Sequence, residues 1–288
     1  MQGINDSIQS NNKQINRYLE EIIGELEPSQ KEVSIFDETN KISDFAQDED
    51  KLSGFTIGAG VTAIAAAKYG MFLNKMPDDK LQKVNEAIDE VFNNRTNLSQ
   101  KGCKIKNLTS MDAPELKETP KLLRFLDPDR RVVKGKNAGF YQYLNEIHVN
   151  REKMALATFH EMGHAYNFNN VKALKKIQKA RPFLMAASIG AVFLPVFIKE
   201  KYGQDLSAGE KAKNNIRSVA PFISGACFLP IAIEEGIASL RASKFAKPLL
   251  EKGVYKRMCK VNACGFATYL LSLVGLMAIA QSNKVRYE

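Results

Sequence analysis

His160, Glu161 and His164 occupy the run His160-Glu161-Met162-Gly163-His164, an H-E-x-x-H spacing. On an α-helix, residues four apart lie one above the other on a single face, so the two imidazoles can each offer a nitrogen to one metal ion. Glu161 then stands beside that ion. Zinc lowers the pKa of a bound water to about 7, and a neighbouring carboxylate can take the proton as the water attacks a peptide carbonyl. The pattern predicts His160 and His164 as zinc ligands and Glu161 as general base. The competing reading is two ordinary histidines on a helix. Against it, the chain holds only three histidines and two fall in this run. The flanks Met154, Ala155, Ala157, Phe159, Met162 and Ala165 also supply the helix formers and apolar contacts of a largely buried helix. Gly163 is costly in a helix and permits close approach of another backbone.

A catalytic zinc keeps three protein ligands and one open position. No histidine follows His164, so the third ligand is expected to be a carboxylate or a cysteine further along. Ile233-Glu234-Glu235-Gly236-Ile237-Ala238-Ser239 is the leading candidate, because two acids end an apolar stretch where unpaired carboxylates are costly. Glu234 and Glu235 are both open as the ligand. A helix end emerging into water is the plainer explanation of the same pair.

With these residues in place, the chain resembles the membrane-embedded gluzincin metallopeptidases, similar to the prenyl-protein (CAAX) endopeptidases and the bacterial heat-shock membrane proteases. Their pattern is H-E-x-x-H, hydrophobic segments, then E-x-x-A-D. The resemblance covers about residues 139 to 241 and implies a zincin-like core, one zinc ion per chain and Glu235 as the third ligand. Ser239 stands where the family pattern has an aspartate that orients a metal-bound histidine, a role that a hydroxyl fills more weakly. The resemblance also implies an edge strand along the cleft, to which an extended substrate adds by backbone hydrogen bonds. That assigns substrate contact to Ile147, His148 and Val149. For His148, an exposed strand position is the plainer reading.

The elements that must position these groups follow from pattern. Phe140 to Asn150 reads as strand, Arg131-Val132-Val133-Lys134 as the first arm of a hairpin, and Lys104 to Asn107 as another short strand. Asp78 and Asp79 are expected to cap a helix with Leu81, Val84, Ile88, Val91 and Phe92 on one face. Pro182 to Ile198, Ser218 to Ile233 and Val261 to Asn283 are free of charge, and Leu52 to Leu73 is a weaker apolar stretch. A bilayer crossing needs about 20 apolar residues. The last of the three charge-free runs qualifies, the other two are borderline, and core helices of a soluble domain are the alternative. Lys172, Lys175, Lys176, Lys179 and Arg181 precede the first run, and a basic loop from Arg241 to Lys260 follows the second. Cytoplasmic loops carry the Lys/Arg excess, so the active site is expected on the cytoplasmic face.

Residues 1 to 54 differ in kind, with twelve acidic and five basic side chains. Ile4, Ile8, Ile15, Leu19, Ile22, Ile23 and Leu26 recur at helical spacing, and a linker is read between Phe36 and Leu52. No signal peptide is expected at the start. The division is therefore an acidic N-terminal helix and linker (1–54), a weak apolar segment (55–74), a catalytic domain with an apolar hairpin at 182–233 (75–241), and a basic loop with a C-terminal apolar helix (242–288). The expected fold is mainly α with a small β-sheet and membrane-crossing helices. Despite a pI near 9.2, no nucleic-acid signature accompanies the charge, and anionic lipid headgroups account for basic residues beside apolar segments. The four cysteines lack metal-pair spacing, so reduced thiols are expected. The expected partners are a peptide or membrane-protein substrate and the lipid bilayer. The alternative from another class is a membrane scaffold that retains the fold without catalysis, and a soluble metalloprotein is the third.

Overall fold

The computed structural model describes residues 48–110, 128–203 and 205–287. The chain separates into two units, Met1–Asp44 and Phe45–Glu288, and every described residue belongs to the second. The expected amphipathic helix from Ile4 to Leu26 and most of the linker lie outside the described residues.

Helices dominate, with one three-stranded sheet among the described residues. Asp48 starts α1 (Glu49–Leu73) by accepting a hydrogen bond from the Lys51 amide at 3.0 Å. α2 (Asp78–Glu90) begins behind Pro77, so Asp78 and Asp79 fill its first turn, where their charge suits the helix dipole, and do not cap it. Val84 and Ile88 are buried along its face and Leu81 half-buried, and the buried row continues through Val91 and Phe92 in the π-helical turn Val91–Arg95 that extends it. The strands are β1 (Lys104–Asn107), β2 (Gly139–Tyr141) and β3 (Glu146–Val149), in the order β1-β3-β2, with β1 parallel and β2 antiparallel to β3.

Two strand expectations are corrected. Residues 131–133 belong to a short helix, α3 (Pro128–Val133), which Pro128 starts with its fixed φ and in which Val132 and Val133 are both buried rather than alternating, and Lys134 lies in the turn that follows. The run from Phe140 to Asn150 is a hairpin, since Asn145 at φ 53° takes the left-handed conformation that ends one strand and starts the next.

α4 (Arg151–Asn170) carries the histidine motif, and α2, β3 and α4 share one apolar core through Ile88, Val91, Ile147, Val149, Leu156, Phe159 and Met162. The remaining helices are α5 (Lys172–Phe197), α6 (Ala208–Ser218), α7 (Ala220–Ala246) and α8 (Lys252–Arg286). α1, α5, α7 and α8 are long and apolar enough to cross a membrane, yet only 17 to 44 % of each apolar window is buried. Ile57, Ile64, Phe183, Phe193, Phe222 and Leu229 are among the side chains left bare on them. Core helices of a soluble domain would bury these residues, so the exposed apolar faces argue for a membrane-embedded protein. Where α5 meets α7 inside the apolar zone, the Ser188 and Ser224 hydroxyls each donate to the other residue's carbonyl, at 2.9 and 3.0 Å. Such reciprocal bonds satisfy buried hydroxyls without water and set the register of the two helices.

Candidate metal centre

The helix that bears the motif is placed from both ends. Asn150 caps α4 by accepting from the Glu152 and Lys153 amides, and Met154, at φ −133° and ψ 30°, then leaves helical geometry. The break leaves the Ala157 amide without its usual helical partner. Asn74, at the end of α1, accepts from that amide at 3.1 Å while donating to the Gly70 carbonyl at 3.0 Å. α1 thus supplies a cap to the segment holding His160 to His164. On the opposite side, a Cβ added to Gly163 would lie 2.9 Å from the Ala238 carbonyl carbon and closer still to its oxygen, so glycine is what lets the backbones of α4 and α7 touch. This bears out the close approach expected at Gly163. The contact brings Glu234, Glu235 and Ser239 against the two histidines. Gly163→Ala is expected to cost about 1–3 kcal/mol by overpacking, read as a lower thermal midpoint in detergent, whereas an unchanged midpoint would show that α7 can back away freely.

Three donor atoms converge. His160 Nε2 lies 2.9 Å from His164 Nε2, and Glu235 Oε2 lies 3.2 and 3.3 Å from the two nitrogens. One face of a tetrahedron with metal–ligand bonds near 2.05 Å has edges of about 3.3 Å, so the three donors have the spacing of a zinc tripod. The hydrogen-bond partners fit as well. His164 Nδ1 lies 3.0 and 2.9 Å from the two oxygens of Glu234, and Ser239 Oγ lies 3.2 Å from His160 Nδ1. With their Nδ1 protons directed at Glu234 and Ser239, neutral His160 and His164 would both turn Nε2 lone pairs toward the Glu235 oxygen, a donor set whose chemistry fits zinc.

The two adjacent glutamates divide the work. Glu234 Oε1 accepts from Gln178 Nε2 at 2.6 Å and Asn167 Nδ2 at 2.8 Å besides facing His164, so its lone pairs are engaged away from the convergence point. Glu235 presents Oε2 to the histidines while Arg181 Nη2 donates to its Oε1. The geometry places the two candidates differently, with Glu235 among the converging donor atoms and Glu234 behind His164. Burial acts to lower the His164 pKa, and the charges of Glu235 and Glu234 outweigh it and hold it well above the ordinary histidine value. The site therefore attracts positive charge.

Glu161 is 8 % exposed and has no side-chain hydrogen bond or ion pair among the described residues. It lines a cleft of about 810 Å³ together with His160, His164, Glu235, Arg181 and Tyr269. No family model, curated protein or solved structure matches this chain. The reading of the site rests on its own geometry.

The expected substrate strand is corrected. β3 is the central strand, and Ile147, His148 and Val149 are buried and do not line the cleft. β1 and β2 are the outer strands among the described residues, and of the two it is β2 whose Gly139, Phe140 and Tyr141 line the cleft, with the turn that follows. His148 is committed elsewhere, with Nδ1 2.9 Å from Asp129 and Nε2 3.0 Å from Glu146. Burial acts to lower its pKa, and the two carboxylates outweigh it, so His148 titrates above its ordinary value. For Asp129 and Glu146, burial acts to raise the pKa and the bonds to His148 outweigh it, so both titrate low. The histidine's contribution to stability is complete below about pH 6.5 and is lost as pH rises through its raised folded value. That of the carboxylates is present above about pH 4 and is lost as pH falls through their lowered values. Thermal midpoints of the wild type are expected to fall on the alkaline side of His148 titration. A His148→Gln variant should lack that step, and a step of equal size in both proteins would remove His148 as its source.

Arg181, Gln178, Asn167, Tyr269 and Asn74 escaped the sequence reading. A signal existed for three of them. Asn167 follows His164 by three residues on the same helical face, and Gln178 and Arg181, also three apart, interrupt a run whose lysines point outward. Tyr269 and Asn74 had no such signal.

Proposed function

We propose that the chain is a membrane-bound zinc endopeptidase that hydrolyses a peptide or membrane-protein substrate, with His160, His164 and Glu235 holding the metal. One observation carries the reading: three potential ligand atoms from two helices meet at zinc spacing beside a buried carboxylate that makes no hydrogen bond or ion pair among the described residues. Bound there, zinc would act as a Lewis acid toward a water and a peptide carbonyl. The side chains supply the rest. Glu161 takes a proton from the water as its oxygen adds to the carbonyl carbon, and passes that proton to the departing amine as the C–N bond breaks. Glu234 holds His164 in the tautomer that presents Nε2, and Ser239 faces His160 in the place of a stronger acceptor. An extended substrate would lie along the cleft wall that β2 and the turn after it form.

Lys172, Lys175, Lys176 and Lys179 begin α5 just after the motif helix, and Arg241, Lys244, Lys247 and Lys252 fall at the end of α7, in the loop after it and at the start of α8, a basic excess that supports a cytoplasmic active site by the positive-inside rule. The deciding experiment is hydrolysis of dye-quenched casein by the detergent-purified chain and by Glu161→Gln at equal zinc content. Loss in the variant supports the peptidase. Equal rates would leave casein cleavage to a contaminant and the chain to a scaffold role.

A further inference from the structure

The charged side chains that line the cleft divide by whether another side chain answers them. Glu161 and Glu235 are the acids among them, and both belong to the proposed chemistry. Of the cations, Arg181 pairs with Glu235. Arg131 and Lys136 remain. Both are exposed, and neither side chain makes a hydrogen bond or ion pair among the described residues. Their backbones are nonetheless fixed together at the end of α3. The Lys136 amide donates to the Arg131 carbonyl at 2.9 Å and the Gly135 amide to the Val132 carbonyl at 2.8 Å, with Gly135 at φ 67° in the left-handed conformation that this helix ending requires. The corner is tied to the motif helix, since Asn150 Nδ2 and Lys153 Nζ donate to the Val133 carbonyl at 2.8 and 3.3 Å. It is tied to β2 by the Tyr141 hydroxyl, which donates to Asp129 Oδ1 at 3.0 Å. Asp129, the acid of α3, faces Tyr141 and His148.

We propose that Arg131 and Lys136 form a carboxylate-binding subsite, so that the site selects peptides with an acidic side chain, or their own C-terminal carboxylate, a few residues from the bond that is cut. Two cations without counter-charges on a cleft wall raise the local concentration of anions and favour their binding. The arginine offers a planar fork that matches a carboxylate, and the lysine adds a point charge on a flexible stem. An extended peptide lying along β2 passes this corner, because β2 begins at Gly139, three residues after Lys136, and lines the same cleft. This inference rests on the peptidase reading and names the substrate class that the site selects.

The test uses the full-length, zinc-loaded chain in uncharged detergent, beside the double variants Arg131→Gln with Lys136→Gln and Arg131→Glu with Lys136→Glu. Zinc per chain and hydrolysis of dye-quenched casein by the wild type are read first. Wild-type cut sites in a proteome-derived peptide library are then mapped by mass spectrometry, and a quenched peptide over one site is made with Glu or Gln at its acidic position and with a free or amidated C-terminus. The wild type is expected to favour one carboxylate form over its neutral counterpart by about 2–30-fold in kcat/KM. Which pair shows the ratio tells a side chain from a chain end. The ratio should shrink at about 1 M salt, approach one in the Gln variant and invert in the Glu variant, at wild-type zinc content. A library map without carboxylates enriched near the cut, or a ratio that survives in both variants, would overturn the subsite while leaving the peptidase intact. A wild type that takes up no zinc and cuts no casein would overturn both, and these first readings tell the two failures apart.

Discussion

Glu161→Gln is expected to lower casein hydrolysis by about 10²–10⁴-fold while zinc content stays near that of the wild type. Glutamine has nearly the same shape, so the 8 % exposed site accepts it without a cavity, but its amide cannot carry a proton from water to amine. Glu161 is not among the converging donor atoms, which come from His160, His164 and Glu235, so metal affinity has no reason to fall with it. The separation of the two readouts is the informative part. A variant that lost zinc as well would place Glu161 in the ligand set, and one that kept its activity would leave the proton transfer to another group.

The second large effect separates neighbouring residues. Glu235→Ala removes one of the three proposed ligand side chains and leaves Arg181 without its principal carboxylate, so the variant is expected to retain little zinc and no hydrolysis. Glu234→Gln keeps all three ligands but weakens the acceptor that orients His164 and receives Gln178 and Asn167. Partners of this kind are worth about 10–100-fold in metal affinity or activity, so Glu234→Gln should fill with zinc only at higher free metal. Zinc titrations of the two variants against a competing chelator measure the difference. The reverse order, with Glu234→Gln empty and Glu235→Ala full, would exchange their roles.

Much of the site was legible in sequence because its strongest constraint is local. Four residues separate His160 from His164 whatever the rest of the chain does, and a helix then fixes their shared face. The partner carboxylates were legible as a pair, since Glu234 and Glu235 interrupt an apolar run, but their division of labour depends on the rotation of α7 about its axis, which Gly163 and Ala238 set by contact. Long-range pairing was the least accessible. A strand's alternation does not say whether it is central or at an edge, and β3 is central only because β1 joins it from a position 42 residues earlier in register, Ile105 against Ile147. Val132 and Val133 carried β propensity that Pro128 and burial overrode. Arg181 looked like one more cation in a basic run, and only the meeting of α5, α7 and α8 turns it toward Glu235 and Tyr269. Hydropathy located the four long apolar helices, whereas their bare faces, visible only in three dimensions, distinguish a membrane protein from a soluble bundle.

The central claim is that His160, His164 and Glu235 hold one zinc ion, and the most direct measurement is zinc per chain in detergent-purified protein after chelation and reloading, beside a His160→Ala control. The account predicts about one zinc in the wild type and a loss of most of it in the control. Negligible zinc in both proteins, or equal zinc in both, would contradict it.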